Sequence, residues 1–188
     1  MLTTLFWGAL AGGAIAWIWG AISWMLLPWH HATFLAFTDD AQIEKAILRA
    51  APRSGVYGLP APPRYDSSMD KNARQALDRA AQQRMQDGPI VTAIVQRNGF
   101  GSVPLAMARA FIIYMMSSLV LTWLLMNSSQ SSYWDRVTFV AVIGLGAGLI
   151  CRLPDWNWHG YSTAYSLVNV IDHTAGAFLV GLALARIV

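Results

Sequence analysis

Charge is scarce in this chain. Charged side chains make up 12% of its 188 residues, against about 25% in an ordinary soluble domain. With 55% hydrophobic residues and nine tryptophans, that scarcity excludes disorder and argues against a soluble globular protein. Cysteine is almost absent. The single Cys151 excludes an internal disulfide framework and any CxxC metal or redox motif. At the end of an apolar run, it is expected to be a buried, inert thiol. No run of Lys and Arg and no basic stripe with interleaved aromatics exists, so nucleic acid is not an expected partner. The GxSxG, P-loop, GxGxxG and HExxH signatures are missing too. No serine has an evident base, no catalytic residue is nominated, and the sequence leans away from an enzyme. The apolar N-terminal stretch lacks a basic n-region and a small-residue cleavage site, so it reads as a retained anchor rather than a cleaved signal.

What charge there is lies in one place. Residues 28–104 carry nine basic and seven acidic side chains, and the other 111 residues carry seven charges in all. An apolar scaffold is therefore interrupted by one soluble-like insert. A helix spanning the hydrocarbon core needs about 20 mostly apolar residues. Four segments qualify: 5–27, 105–126, 134–153 and 163–187. Each must be helical, because lipid offers no partner to free backbone groups. The expected fold class is an all-α membrane protein, a four-transmembrane-helix bundle with a small, mostly helical extramembrane insert between helices 1 and 2. An even number of spans puts both termini on one side. The insert and a tight turn over 154–162 then lie on the other. The α-amine, Arg136 and Arg186 on the terminal side favour cytoplasmic termini and a periplasmic or extracellular insert by the positive-inside rule.

Within the insert, Asp39 with Gln42 three residues later starts a helix over 39–50. Its face of Ile43, Ala46, Ile47 and Ala50 makes it amphipathic, so it is expected to dock on something. A second helix covers 68–87, with Ser67 and Asp70 in capping-box spacing and Asp70 and Arg74 at i,i+4. Extended stretches over 55–60 and 89–96 are β-prone, and Val56-Tyr57 is placed to pair with Ile90–Val95. So short an insert buries a small core at best, and it is expected to rest on the membrane portion.

Small residues recur every four positions in the first span (Gly8, Gly12, Ala16, Gly20) and in the third (Gly144, Gly148). This spacing lets helix backbones approach closely in lipid. Packing within one bundle is the first expectation, and dimerisation through one of these faces the second. The tryptophans are expected to be mainly interfacial anchors or fillers.

Two constellations carry candidate chemistry. Tyr165, Asn169, Asp172, His173 and Gly176 share one side of the fourth helix. Asp172 lies about 13 Å into the span, and Arg109 enters the second span from the same side to a depth of about 7 Å. An ionisable group inside a bilayer normally faces the bundle interior with a partner. An Arg109–Asp172 ion pair is therefore expected, with His173 and Asn169 completing its hydrogen bonds. It would either fix helix register or form a proton or ion relay. The second constellation lies at the insert-side surface. His30, His31, His159 and Asp155 would suit a divalent metal if they converged. The first expectation is interfacial hydrogen bonding to backbone and lipid headgroups, with the metal and haem ligation as the alternatives. Adjacent His30 and His31 cannot both point the same way on a regular element, and no cofactor is otherwise expected.

Three strings are familiar: Gly20-Ala21-Ile22-Ser23-Trp24-Met25-Leu26-Leu27-Pro28-Trp29-His30, Tyr133-Trp134-Asp135-Arg136-Val137, and Leu153-Pro154-Asp155-Trp156-Asn157-Trp158-His159-Gly160-Tyr161-Ser162. They resemble a group of small, uncharacterised bacterial inner-membrane proteins. The resemblance covers most of the membrane portion, while residues 60–85 look more individual. It implies a four-span, multi-pass inner-membrane protein and no activity. The expected function is that of an accessory protein, scaffold or complex subunit, with the lipid bilayer and a membrane-protein partner or a second copy as its contacts. The alternatives are a small transporter or metal-handling protein, and, third, a membrane-embedded enzyme.

Overall fold

The computed structural model describes residues 1–188. In chain order its elements are α1 (Leu2–Ala21), a π-helical turn (Ile22–Leu26), a 3-10 turn (His31–Thr33), α2 (Asp40–Ala50), β1 (Gly55–Leu59), α3 (Lys71–Asp87), β2 (Val91–Val95), α4 (Val103–Met126), α5 (Tyr133–His159) and α6 (Thr163–Ile187). Four helices are long and apolar enough to cross a membrane: Leu2–Leu26, α4, α5 and α6. At 1.5 Å per residue the shortest is about 36 Å long, more than the ~30 Å of a hydrocarbon core. Their outer faces are apolar. Phe6, Ile112, Ile113, Met116, Trp123, Val142, Ile150, Leu167 and Ile171 are all exposed, as side chains facing lipid must be. The expected fold class holds. Cys151, expected to be buried, is exposed. An apolar run in a membrane helix carries no inward-facing signal, since lipid accepts an apolar face as readily as a core does.

The chain divides into two compact units, Met1–Leu35 with Ser102–Val188, and Ala36–Gly101. In the first, α5 packs along α6, α1 packs along α4, and α1 against α6 joins the two pairs. Leu125, Val140, Val180 and Leu184 form its apolar centre. The small residues lie at these internal contacts. A Cβ on Gly8 would strike the Thr122 side chain, one on Gly12 Ser118, and one on Gly13 the Met115 backbone at 2.7 Å. Gly20 closes on the Tyr114 hydroxyl, Gly144 on Ala177, and Gly148 on the Val170 backbone. Close approach is then used for a polar contact, since Ser118 Oγ donates to the Gly8 carbonyl at 2.8 Å.

The expected end of the third span at 153 is not where the helix ends. Instead of turning at Pro154, α5 runs through it to His159. Proline removes one backbone donor and crowds the preceding turn, but it leaves the remaining hydrogen bonds of the last turn intact. The real break is Gly160, which adopts φ 73° in the left-handed region, where glycine carries no Cβ penalty. Ser162 then caps α6 by accepting from the Tyr165 N–H at 3.1 Å.

In the second unit, Asp39 caps α2 through the Gln42 N–H at 2.9 Å. Asp70, not Ser67, caps α3, accepting from the Ala73 N–H at 2.7 Å. Its carboxylate serves the helix end rather than an ion pair with Arg74. β1 and β2 are antiparallel, with Val56 opposite Ile94 and Tyr57 opposite Ala93. Arg97 follows β2 and donates through Nη1 to the carbonyls of Leu48 at 2.8 Å and Ala51 at 2.6 Å. A cation there satisfies carbonyls left free at the end of α2. Between β1 and α3, the Ser68 N–H beside Asp66 holds that carboxyl below its ordinary range. Tyr65 donates to Asp78, which pushes the phenol up.

Candidate functional site

The helical chain of α1 widens into the π-turn at Ile22, where Leu27 N–H reaches the Ile22 carbonyl at 3.1 Å. Leu27 is extended, as a residue before proline must be, and Pro28 ends the helix. The next residues reverse at once. Ala32 N–H donates to the Pro28 carbonyl at 2.9 Å, and Thr33 donates to the His30 carbonyl through its N–H at 3.0 Å and its Oγ1 at 2.7 Å. This reversal turns His30 back into the bundle, where it is 0% exposed. Its ring stacks on Trp24, centroids 3.9 Å apart and planes 8° off parallel, and meets Trp29 edge-on at 5.7 Å.

His30 arrives at Asp172, which is 8% exposed on α6. Oδ1 of Asp172 accepts from Ser23 Oγ at 2.7 Å and from Trp19 Nε1 at 2.8 Å. Oδ2 faces His30 Nε2 at 3.3 Å. Ser23 Oγ lies 3.1 Å from the same imidazole nitrogen and accepts from Trp29 Nε1 at 3.1 Å. With Asp172 ionised the carboxylate only accepts, and Nε2 of His30 is then the donor of this contact. His30 Nδ1 is then buried without a hydrogen-bond partner. This is not the Ser–His–Asp relay of a hydrolase, in which serine and aspartate use opposite ring nitrogens. Here both face the same one.

The intramembrane cluster expected from sequence is thus rearranged. Asp172 is buried and partnered, but not by Arg109, which stands exposed on α4 outside any ion pair. The physical reason is placement around the bundle. Arg109 lies on α4, which packs along α1 rather than α6, and Trp19, Ser23 and His30 already fill the space at the carboxylate. His173 and Asn169 do not complete the site. Asn169 is buried but donates to the Tyr165 carbonyl at 2.8 Å. His173 points to the α5 side of α6, near Gly148. Tyr165 packs edge-on against Phe34, centroids 5.7 Å apart, and beside Tyr161 at 5.1 Å.

The histidines that would suit a metal if they converged are separate in the structure. His30 pairs with Asp172, His31 is exposed, and His159 Nδ1 pairs with Asp155 at 2.9 Å one helical turn away. No three His, Cys, Asp or Glu side chains come together as a group that would hold a metal ion. Trp19 and Trp29, expected as anchors or fillers, are hydrogen-bond donors of the site. Ser23, Trp19 and Trp29 were not legible as its members. The available signal was the need of a buried acid for donors, set beside a Trp-Ser-Trp-His run at the end of the first span. No family model, no curated protein and no solved structure matches the chain.

Proposed function

We propose that this multi-pass membrane protein works by interaction, as an accessory or scaffold subunit, and that the Asp172 site is the clasp that fixes where the chain leaves the bundle. One observation carries the reading. Every donor to the Asp172 carboxylate comes from the end of α1 or the segment just after it: Trp19, Ser23 and His30. The intramembrane acid is spent on holding that exit in place. Phe34 on Tyr165 extends the same hold by one more residue pair. The residues that follow form a separate compact unit whose sheet leaves Val56 and Ile94 largely exposed, at 73% and 75%. Neighbouring apolar side chains at that exposure suit a partner surface. In this reading the bilayer is a bacterial inner membrane, with the α-amine, Arg136 and Arg186 on its cytoplasmic side.

The test is crosslinking in native membranes, followed by mild extraction. The intact chain is expected to carry a discrete protein partner, and Ile94→Asp to lose it while the four-helix unit keeps its thermal stability. A chain that extracts as a monomer and crosslinks to nothing refutes the reading. The transporter reading has one observation of its own, the unpartnered Nδ1 of buried His30. It requires proton or ion flux in vesicles that Asp172→Asn abolishes.

A further inference from the structure

The site also shapes a second feature. A groove of about 870 Å³ runs along the outer side of α1 and α6, lined by Ile15, Ile18 and Ile22 on one side and Leu179 and Leu182 on the other. Its floor includes Trp19. That indole is fixed, because Nε1 donates inward to Asp172 and the ring rests against Gly176, where a Cβ would lie 2.9 Å from it. The polar edge of Trp19 is turned into the protein, which leaves an apolar wall for the groove. At the other end stand Tyr133, Trp134 and Arg186. Arg186 lies in the last turn of α6 and is exposed, and its guanidinium sits 5.8 Å over the Tyr133 ring. It has no carboxylate within ion-pair distance, since the chain's two ion pairs are His30–Asp172 and His159–Asp155. Arg136, another cation at this end, does not line the groove and donates through Nε and Nη1 to the carbonyls of Gln130 and Ala185.

A long apolar trough ending in a free guanidinium, beside aromatics of the interfacial type, is complementary to one ligand chemistry: a hydrocarbon chain joined to an anion at headgroup depth. We propose that this groove is a binding site for an anionic glycerophospholipid, with an acyl chain along Ile15, Ile18 and Leu182 and the phosphate on Arg186. Bulk lipid would wet any outward face. What separates a site from wetting here is the fixed Trp19 floor and the unpaired cation at one end only. The inference does not depend on the accessory reading.

Native mass spectrometry of the full chain, loaded with equal amounts of phosphatidylglycerol and phosphatidylcholine, tests it. The expected result is retention of phosphatidylglycerol over phosphatidylcholine by about fivefold, the factor one basic side chain supplies at a membrane surface. Arg186→Gln should bring that ratio close to one. Leu182→Trp, which fills the trough, should reduce retention of both lipids. Leu167→Trp, on an exposed part of α6 outside the groove, should change neither and controls for folding. Equal retention of the two lipids by the wild type overturns the proposal. So does a preference that survives Arg186→Gln, or a second copy of the chain released by Leu182→Trp with lipid retention unchanged.

Discussion

Ser23 and Asp172 are 149 positions apart and meet at 2.7 Å, the hydroxyl donating to Oδ1. Trp19 and His30 join the same carboxylate. Side-chain hydrogen bonds between membrane helices average about 0.6 kcal/mol each, so three donors amount to about 2 kcal/mol. Asp172→Ala is expected to lower unfolding stability in bicelles by about that much. Arg109→Ala should change it by less than about 0.5 kcal/mol, as for exposed sites generally. A double-mutant cycle should find coupling between Ser23→Ala and Asp172→Ala and none between Arg109→Ala and Asp172→Ala. Additive behaviour of Ser23 with Asp172 would remove the clasp.

The glycines divide by what faces them. At Gly13 a side chain meets the backbone of Met115, which cannot rotate away. Gly13→Val should separate α1 from α4 and cost about 1–3 kcal/mol, the usual range for overpacking. Gly144→Ala should also destabilise, because Ala177 and the His173 carbonyl already occupy that space. Gly146 lies on the same helix with nothing within 4 Å. Gly146→Ala should be neutral or stabilising, by up to about 1 kcal/mol from helix propensity. Thermal unfolding of the three variants under one set of conditions ranks them.

Pro154 sits inside α5, where it denies the Ile150 carbonyl its usual donor. Pro154→Ala restores that donor and relieves the ring's contact with the preceding turn, a combination worth up to about 3 kcal/mol. The variant should therefore unfold at a higher temperature, with slower amide exchange over the last turn of α5. A lower unfolding temperature would mean that the interrupted turn is required by the residues packed beside it, such as Trp156, whose Nε1 donates to Thr163 Oγ1 at 3.2 Å.

The scarcity of charge and its confinement to residues 28–104 were enough to point to four helices long and apolar enough to span and one insert, because lipid excludes charge and permits only helices there. Capping chemistry is local, so Asp39 was legible as a helix start and the β-prone runs as a pair, although the start of α3 was expected at Ser67 and is capped by Asp70. The glycine spacing pointed to close packing, and its first expected place, inside the bundle, is where those glycines lie. The partner of Asp172 was not legible. Periodicity and depth locate a residue along a helix and on one face of it, but they do not say which helix that face meets. Arg109 was expected to reach Asp172 from the same side, but it stands on α4, which packs along α1 rather than α6. His30 looked like a surface residue because it follows a proline outside the span. Only the reversal at Pro28–Thr33, held by backbone hydrogen bonds between near neighbours, turns it back into the bundle. The number of long apolar segments is a property of each segment by itself, so the sequence determines it alone. The Ser23–His30–Asp172 contact depends on which helices pack together, and a buried acid takes whichever donors that packing brings to it.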